Sequence, residues 1–344
     1  FSSKKLSRNK TGKFIFFSDD KFIISDEKGN IIIFSKSKNK IIYKFNFYKK
    51  KFKNIKKILN IIIDINIAYI SDNLGYLYAY DLKLNKLIWA KNYKIPFRSN
   101  LKLIDDKLFA SNQNNDLLIF SKKSGDILKQ IPTEPTVLKN KFINNIAYGN
   151  DGILFFLNSY GSLYAIDTIL LKVKWFTNLN QSLNLNPSNL FNGNQIVTSN
   201  QQVIVSSDFY TFIINSITGE ILFRKNFSIK SRPIINNNYL FLITKNNLLI
   251  SLNLIDGKIL YAYSIDDQIS KFLKIKKKKV SLKGLILINN DLFVLLNNSF
   301  LLNFNIKGKL KKIIKLNSSL NTEPIFINKS FLYLDKKNRL RILN

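Results

Sequence analysis

A chain of 344 residues that is 46% hydrophobic, carries a formal net charge of +32 and has no cysteine, histidine or methionine can build a sizeable core. It cannot form disulfides, cysteine- or histidine-ligated zinc sites, or thiol or imidazole catalytic centres. No apolar run approaches the roughly 18–20 residues of a membrane helix; the longest, Ile58 to Ile65, is broken by Asn60 and Asp64. A soluble chain is therefore expected, and its opening at Phe1 rather than methionine predicts a fragment or processed product, with any export signal upstream.

Taken in chain order, eight short apolar strands end at small polar residues: Ser35, Asp81, Ser121, Asp167, Asn215, Asn253, Asn305 and Asn344. Their spacing of 38 to 52 residues, with a mean near 44, is that of four-stranded propeller blades. Eight residues beyond the first seven polar positions stand Tyr43, Trp89, Lys129, Trp175, Phe223, Tyr261 and Ile313. The aromatics Tyr43, Trp89, Trp175, Phe223 and Tyr261 are expected to pack between blades. Turns lie between the two registers, clearest in Ser124-Gly125-Asp126, Thr218-Gly219-Glu220, Asp256-Gly257-Lys258 and Lys307-Gly308-Lys309, where glycine supplies positive φ.

Strands such as Ile31 to Phe34 and Ile153 to Phe156 are continuously apolar, as expected of sheets covered on both faces. The pattern predicts an all-β, eight-bladed β-propeller of four-stranded antiparallel blades in one domain, 1–344. The blades run approximately 12–49, 53–94, 95–134, 135–180, 181–227, 228–266, 267–317 and 318–344. The last stops one strand short, so the segment from Phe1 to Leu6 is expected to complete it and leave no open edge. The connections 46–57, 180–190 and 267–282 are longer, and the lysine runs at Lys49 to Lys51 and Lys276 to Lys279 are expected to be solvated loops.

The blade signatures Leu77-Tyr78-Ala79-Tyr80-Asp81 through Trp89 and Leu163-Tyr164-Ala165-Ile166-Asp167 through Trp175 resemble the repeats of pyrroloquinoline-quinone (PQQ) propellers. Within that superfamily the chain is most similar to the BamB family, lipoprotein propellers of the outer-membrane β-barrel assembly machine. The blade count, the terminal Thr322-Glu323-Pro324-Ile325 blade and Ser182-Leu183-Asn184-Leu185-Asn186 carry the likeness. The last segment resembles the Ser-Leu-x-Leu-Arg loop with which the family docks the barrel-forming subunit. Asn186 stands where that loop has arginine, and Lys230-Ser231-Arg232 lacks the family's aspartates.

The resemblance implies a non-enzymatic, monomeric scaffold on the periplasmic face of the bacterial outer membrane, held peripherally by an upstream lipid anchor. Its expected partners are the barrel-forming (BamA-like) subunit and unfolded outer-membrane proteins. Leu183, Leu185, Asn186 and Arg232 are the candidate contacts, and no cofactor or metal is expected. A quinoprotein dehydrogenase is the enzymatic alternative; it needs Ca²⁺ held by carboxylates and aromatics stacked on the quinone. Only 22 acidic residues and two Trp are present. A polyanion or anionic-lipid binder is the third class. Against nucleic acid, the 54 basic residues include only six arginines, the side chain that forks onto phosphates and bases. AT-rich codon usage is one source of the lysine excess, and a selected polyanion site is the other.

Overall fold

The computed structural model describes residues 2–18, 20–48, 52–136, 143–149, 151–180, 190–199, 201–276, 278–327 and 329–343. Among them, 32 strands pair into eight four-stranded sheets, the blades of a β-propeller. The first blade orders Thr11–Ser18, Lys21–Asp26, Asn30–Ser35 and Lys40–Asn46. The second holds Leu59–Asp64, Ile67–Asp72, Tyr76–Asp81 and Lys86–Asn92. The third holds Lys102–Ile104, Lys107–Ser111, Leu117–Ser121 and Ile127–Ile131. Asn145–Tyr148, Ile153–Leu157, Ser162–Asp167 and Lys172–Asn178 make the fourth. Val197–Thr198, Gln202–Ser206, Thr211–Asn215 and Ile221–Lys225 make the fifth. The sixth comprises Ile234–Asn236, Tyr239–Ile243, Leu248–Asn253 and Ile259–Ser264. The seventh comprises Leu282–Ile288, Asp291–Leu296, Phe300–Asn305 and Leu310–Lys315.

The last blade contains Ile325–Ile327, Ser330–Leu334 and Arg339–Leu343, and its fourth strand is Ser2–Lys5. Ser2 pairs with Arg341 and Lys5 with Arg339, antiparallel. Leu340 donates its backbone N–H to Ser3 Oγ at 2.8 Å, and Leu6 donates its own to the Asn338 carbonyl at 2.9 Å. The N-terminal strand thus completes the blade as the repeat count predicts.

Two compact units divide the chain. One is Phe1–Gln113 with Leu118–Leu128 and Ser318–Asn344; the other is Asn114–Leu117 with Lys129–Asn317. In the first, Phe22, Ile24, Ile32 and Phe34 of the first blade bury against Leu332, Leu334 and Leu340 of the last, with Leu6 between them. In the second, Phe155, Leu163 and Ala165 pack on Val203, Val205 and Phe212. The middle strands are apolar without alternation because both faces are covered: all of Asn30–Ser35 and Ile153–Leu157 is buried.

The repeat aromatics serve this packing. Each lies on the fourth strand of its blade, immediately after a one-residue bulge. Ala79 pairs with Trp89 but Tyr80 with Leu87, and the same skip precedes Tyr43, Trp175, Phe223 and Tyr261. A bulge re-aims the side chain that follows it. Here the rings reach the turn of the next blade: Trp89 Nε1 donates to the Lys122 carbonyl at 3.2 Å, Trp175 Nε1 to Ser216 at 3.1 Å, and the Tyr261 hydroxyl to Ile306 at 2.9 Å.

Candidate partner-binding surface

In an antiparallel four-stranded blade, the turn between strands two and three lies at the same end as the crossover to the next blade. A recurring set of polar contacts gathers there. Asp26 accepts the backbone N–H groups of Lys28 at 3.0 Å and Asn30 at 3.1 Å, an Asx-type turn. Its carboxylate also receives Ser7 Oγ at 2.8 Å and Asn9 Nδ2 at 3.1 Å from the segment entering the blade. Asp72 repeats the pattern, taking Leu74 N–H at 2.7 Å, Tyr76 N–H at 2.9 Å and the hydroxyl of Tyr48 from the crossover. Asp335 takes the N–H groups of Lys337 and Arg339 and the Nε of Arg341 at 2.9 Å. Asn158 does the same for Tyr160 and Ser162, both at 3.0 Å.

These four residues stand nine positions before Asn344, Asp167, Asp81 and Ser35. That register is readable in the sequence as a second polar position nine residues before the first. Their environments differ. Burial pushes the Asp26 carboxyl up, but hydrogen bonds from Asn30, Asn9 and Ser7 outweigh it and hold the group below its ordinary value. At Asp72 burial wins over the donors Tyr48, Tyr76 and Leu74, and the carboxyl is raised. Burial likewise raises Tyr48, with Tyr78 and Asp72 adding to it. Such carboxylates are already saturated with donors. Among the described residues, no group of three or more Asp and Glu is placed to hold a metal ion.

Of the four candidate contacts, Leu183, Leu185 and Asn186 lie outside the described residues. Arg232 is exposed at the crossover into the sixth blade. Beside it, Lys230 donates its backbone N–H to the Ile243 carbonyl at 2.8 Å and its Nζ to Asn247 Oδ1 at 3.1 Å. Burial, then the neighbouring Lys279, hold the Lys230 ammonium below its ordinary value, with Asp266 opposing them.

The crossover from the sixth to the seventh blade contains the helix α1, Ile265–Leu273, where a plain loop was expected. Ser264 caps it, accepting the Asp267 N–H at 3.2 Å, and Asp266 and Asp267 occupy its first turn. Its base is fastened by the buried Asn247, whose Nδ2 reaches the Asp266 carboxylate at 3.3 Å and the Val280 carbonyl at 2.8 Å. Asp266 Oδ1 in turn accepts the Val280 N–H at 2.9 Å, so both ends of the crossover meet at one point. No helix among the described residues is long and apolar enough to cross a membrane.

The sequence matches the family model of outer membrane protein assembly factor BamB over residues 2–263. The chain belongs to the BamB family. No curated protein sequence matches it. Among solved structures it is similar to BamB from Moraxella catarrhalis, with a TM-score of 0.74 at 14% identity, covering 99% of this chain and 98% of that one. A computationally designed protein, Ika8, has a TM-score of 0.75 at 10% identity over 99% and 98% of the two chains. The β-propeller domain of Cps50 (Swd1) from Myceliophteria thermophila has a TM-score of 0.53 at 10% identity, covering 86% and 96%. At these identities the structural likeness establishes the β-propeller fold, and the family rests on the sequence match.

Proposed function

We propose that the chain is a non-enzymatic scaffold of outer-membrane β-barrel assembly, acting at the periplasmic face of that membrane and binding the barrel-forming subunit. The observation that carries this reading is the family match over residues 2–263. The chemistry of the blades supports it. Asp81, Asp167 and Asp256 accept backbone N–H groups within turns, as Asp26, Asp72 and Asp335 do, and the two tryptophans are engaged between blades. A quinoprotein site needs free carboxylates and stacking aromatics, and these residues are committed elsewhere.

Leu183 and Leu185 are one residue apart, so in an extended segment they point the same way and form a small apolar anchor with polar neighbours. Changing both to Asp should leave the melting temperature unchanged and weaken capture of the barrel-forming subunit by roughly 2 kcal/mol or more. Unchanged capture removes this segment from the interface, and a lowered melting temperature assigns the leucines to packing. Turnover of alcohols or sugars after incubation with PQQ and Ca²⁺ would overturn the scaffold reading.

A further inference from the structure

The apolar stripe of α1 continues past the body of the protein. Ile265 and Ile269, one turn apart, are 0% and 9% exposed and pack among Phe241, Leu249 and Leu292. The next turn of the same stripe is Phe272 and Leu273, and both are 47% exposed. Ile275 follows at 54% exposure. It is held there: its N–H donates to the Ser270 carbonyl at 3.1 Å, and its own carbonyl accepts Ser270 Oγ at 2.8 Å. The C-cap, Lys274, takes the left-handed conformation at φ 54°, which turns the chain sharply at this tip.

Lysines flank the three apolar residues along the chain. Lys271, Lys274, Lys276, Lys278 and Lys279 are all exposed, and among the described residues none of them forms an ion pair. No carboxylate occurs between Asp267 and Asp291. A helix end bearing exposed Phe, Leu and Ile interleaved in sequence with lysines that form no ion pair combines the two attractions that hold interfacial helices on lipid: apolar insertion to the acyl boundary and attraction to anionic headgroups. A protein partner of matching shape would need an acidic rim around an apolar pocket, whereas an anionic bilayer offers both along its whole surface.

We infer that the α1 tip, with Phe272, Leu273 and Ile275 at its centre, is a docking element for an anionic phospholipid surface. The inference does not rest on binding to the barrel-forming subunit, because its test contains no second protein. The full chain is to be floated with vesicles of phosphatidylcholine alone or with 30% phosphatidylglycerol. Binding should be at least tenfold tighter to the anionic vesicles and fall with salt. Replacing Lys274, Lys276, Lys278 and Lys279 by Gln should weaken it tenfold or more. Replacing Lys36, Lys38, Lys40 and Lys44, which removes equal charge elsewhere, should change it less than about threefold.

The chain has no cysteine, so Phe272→Cys offers one site for an environment-sensitive fluorophore, whose emission should shift to the blue on anionic vesicles only. Absence of preference for anionic vesicles, equal loss in the two lysine variants, or an unshifted fluorophore would each overturn the inference. The first outcome leaves no charge attraction to lipid, the second only the general charge of the chain, and the third a tip that does not enter lipid.

Discussion

Gly125 lies so close to Trp89 that a methyl group on it would stand 2.6 Å from the indole ring. The contact is a repeating joint of the propeller. Gly219 meets Trp175 at 2.6 Å, Gly257 meets Phe223 at 2.7 Å and Gly308 meets Tyr261 at 2.6 Å, each glycine in the turn of the following blade. Two demands converge on these positions: a positive φ, +74° at Gly125, and room for a neighbouring ring.

Gly125→Ala should therefore destabilise the protein by about 2–3 kcal/mol, from left-handed strain together with overpacking. Thermal or denaturant unfolding measures this. In the Trp89→Ala background the overpacking disappears and only the strain remains, so the double variant should lose less than the sum of the two singles. Strict additivity would mean that the ring and the glycine do not press on one another.

Completion of the last blade by Ser2–Lys5 gives a second expectation. Without residues 1–6, the strand Arg339–Leu343 presents an unpaired edge, and Leu6 is lost from the cluster it shares with Phe22 and Leu340. Bare edges invite pairing with another chain. The truncated protein should self-associate in light scattering or melt well below the full chain. A monomer with an unchanged melting temperature would show that the strand adds nothing to the fold.

Much of this architecture was legible because its causes repeat. Tyr43, Trp89, Trp175, Phe223 and Tyr261 stand at a constant offset from a polar residue, since each must follow a bulge and meet a turn. The strand deficit after Arg339–Leu343 pointed to the N-terminus by counting. α1 was missed for a local reason: only Ile265 and Ile269 mark its buried face, and the lysines beyond it read as a solvated loop. The start signal was present, however, in Ser264 followed three residues later by Asp267. The Asn247 clasp was not legible, because its partners Asp266 and Val280 lie 19 and 33 positions away. Leu183 and Leu185 read alike as rim anchor or local packing, and two leucines in alternation do not discriminate between these.

The contrast between Asp26 and Asp72 predicts opposite pH dependences. The Asp26 carboxyl is held below its ordinary value of 3.8, so its contribution is present above that pH and is lost as pH falls through the folded-state value. The Asp72 carboxyl is raised above 3.8, so its contribution is full below that pH and declines as pH rises through the elevated value. In urea unfolding between pH 3 and 7, Asp26→Asn should cost about 2 kcal/mol at pH 7 through weakened charge-assisted bonds. That cost should shrink on acidification below 3.8. Asp72→Asn should cost most at low pH and progressively less as pH rises. Parallel profiles for both variants and the parent chain would contradict the assignment.

Asn247 offers the sharpest test of how the α1 crossover is held. It is fully buried, sits at φ +60°, and its side chain joins Asp266, Val280 and Lys230. Asn247→Gly keeps the backbone conformation accessible and deletes only those bonds. The Asp266 carboxylate and the Val280 carbonyl then lose a buried donor, a loss of about 2–4 kcal/mol. Asn247→Ala deletes the same bonds and adds left-handed strain, about 1 kcal/mol more. The difference between the two substitutions isolates backbone strain, and their shared loss isolates the clasp. The damage should also be local. Amide hydrogen exchange across 265–280 should accelerate in both variants, while residues 240–243, buried in the sixth blade, keep the protection set by global unfolding. Unchanged exchange across the crossover in Asn247→Gly would show that α1 is held by its buried isoleucines alone.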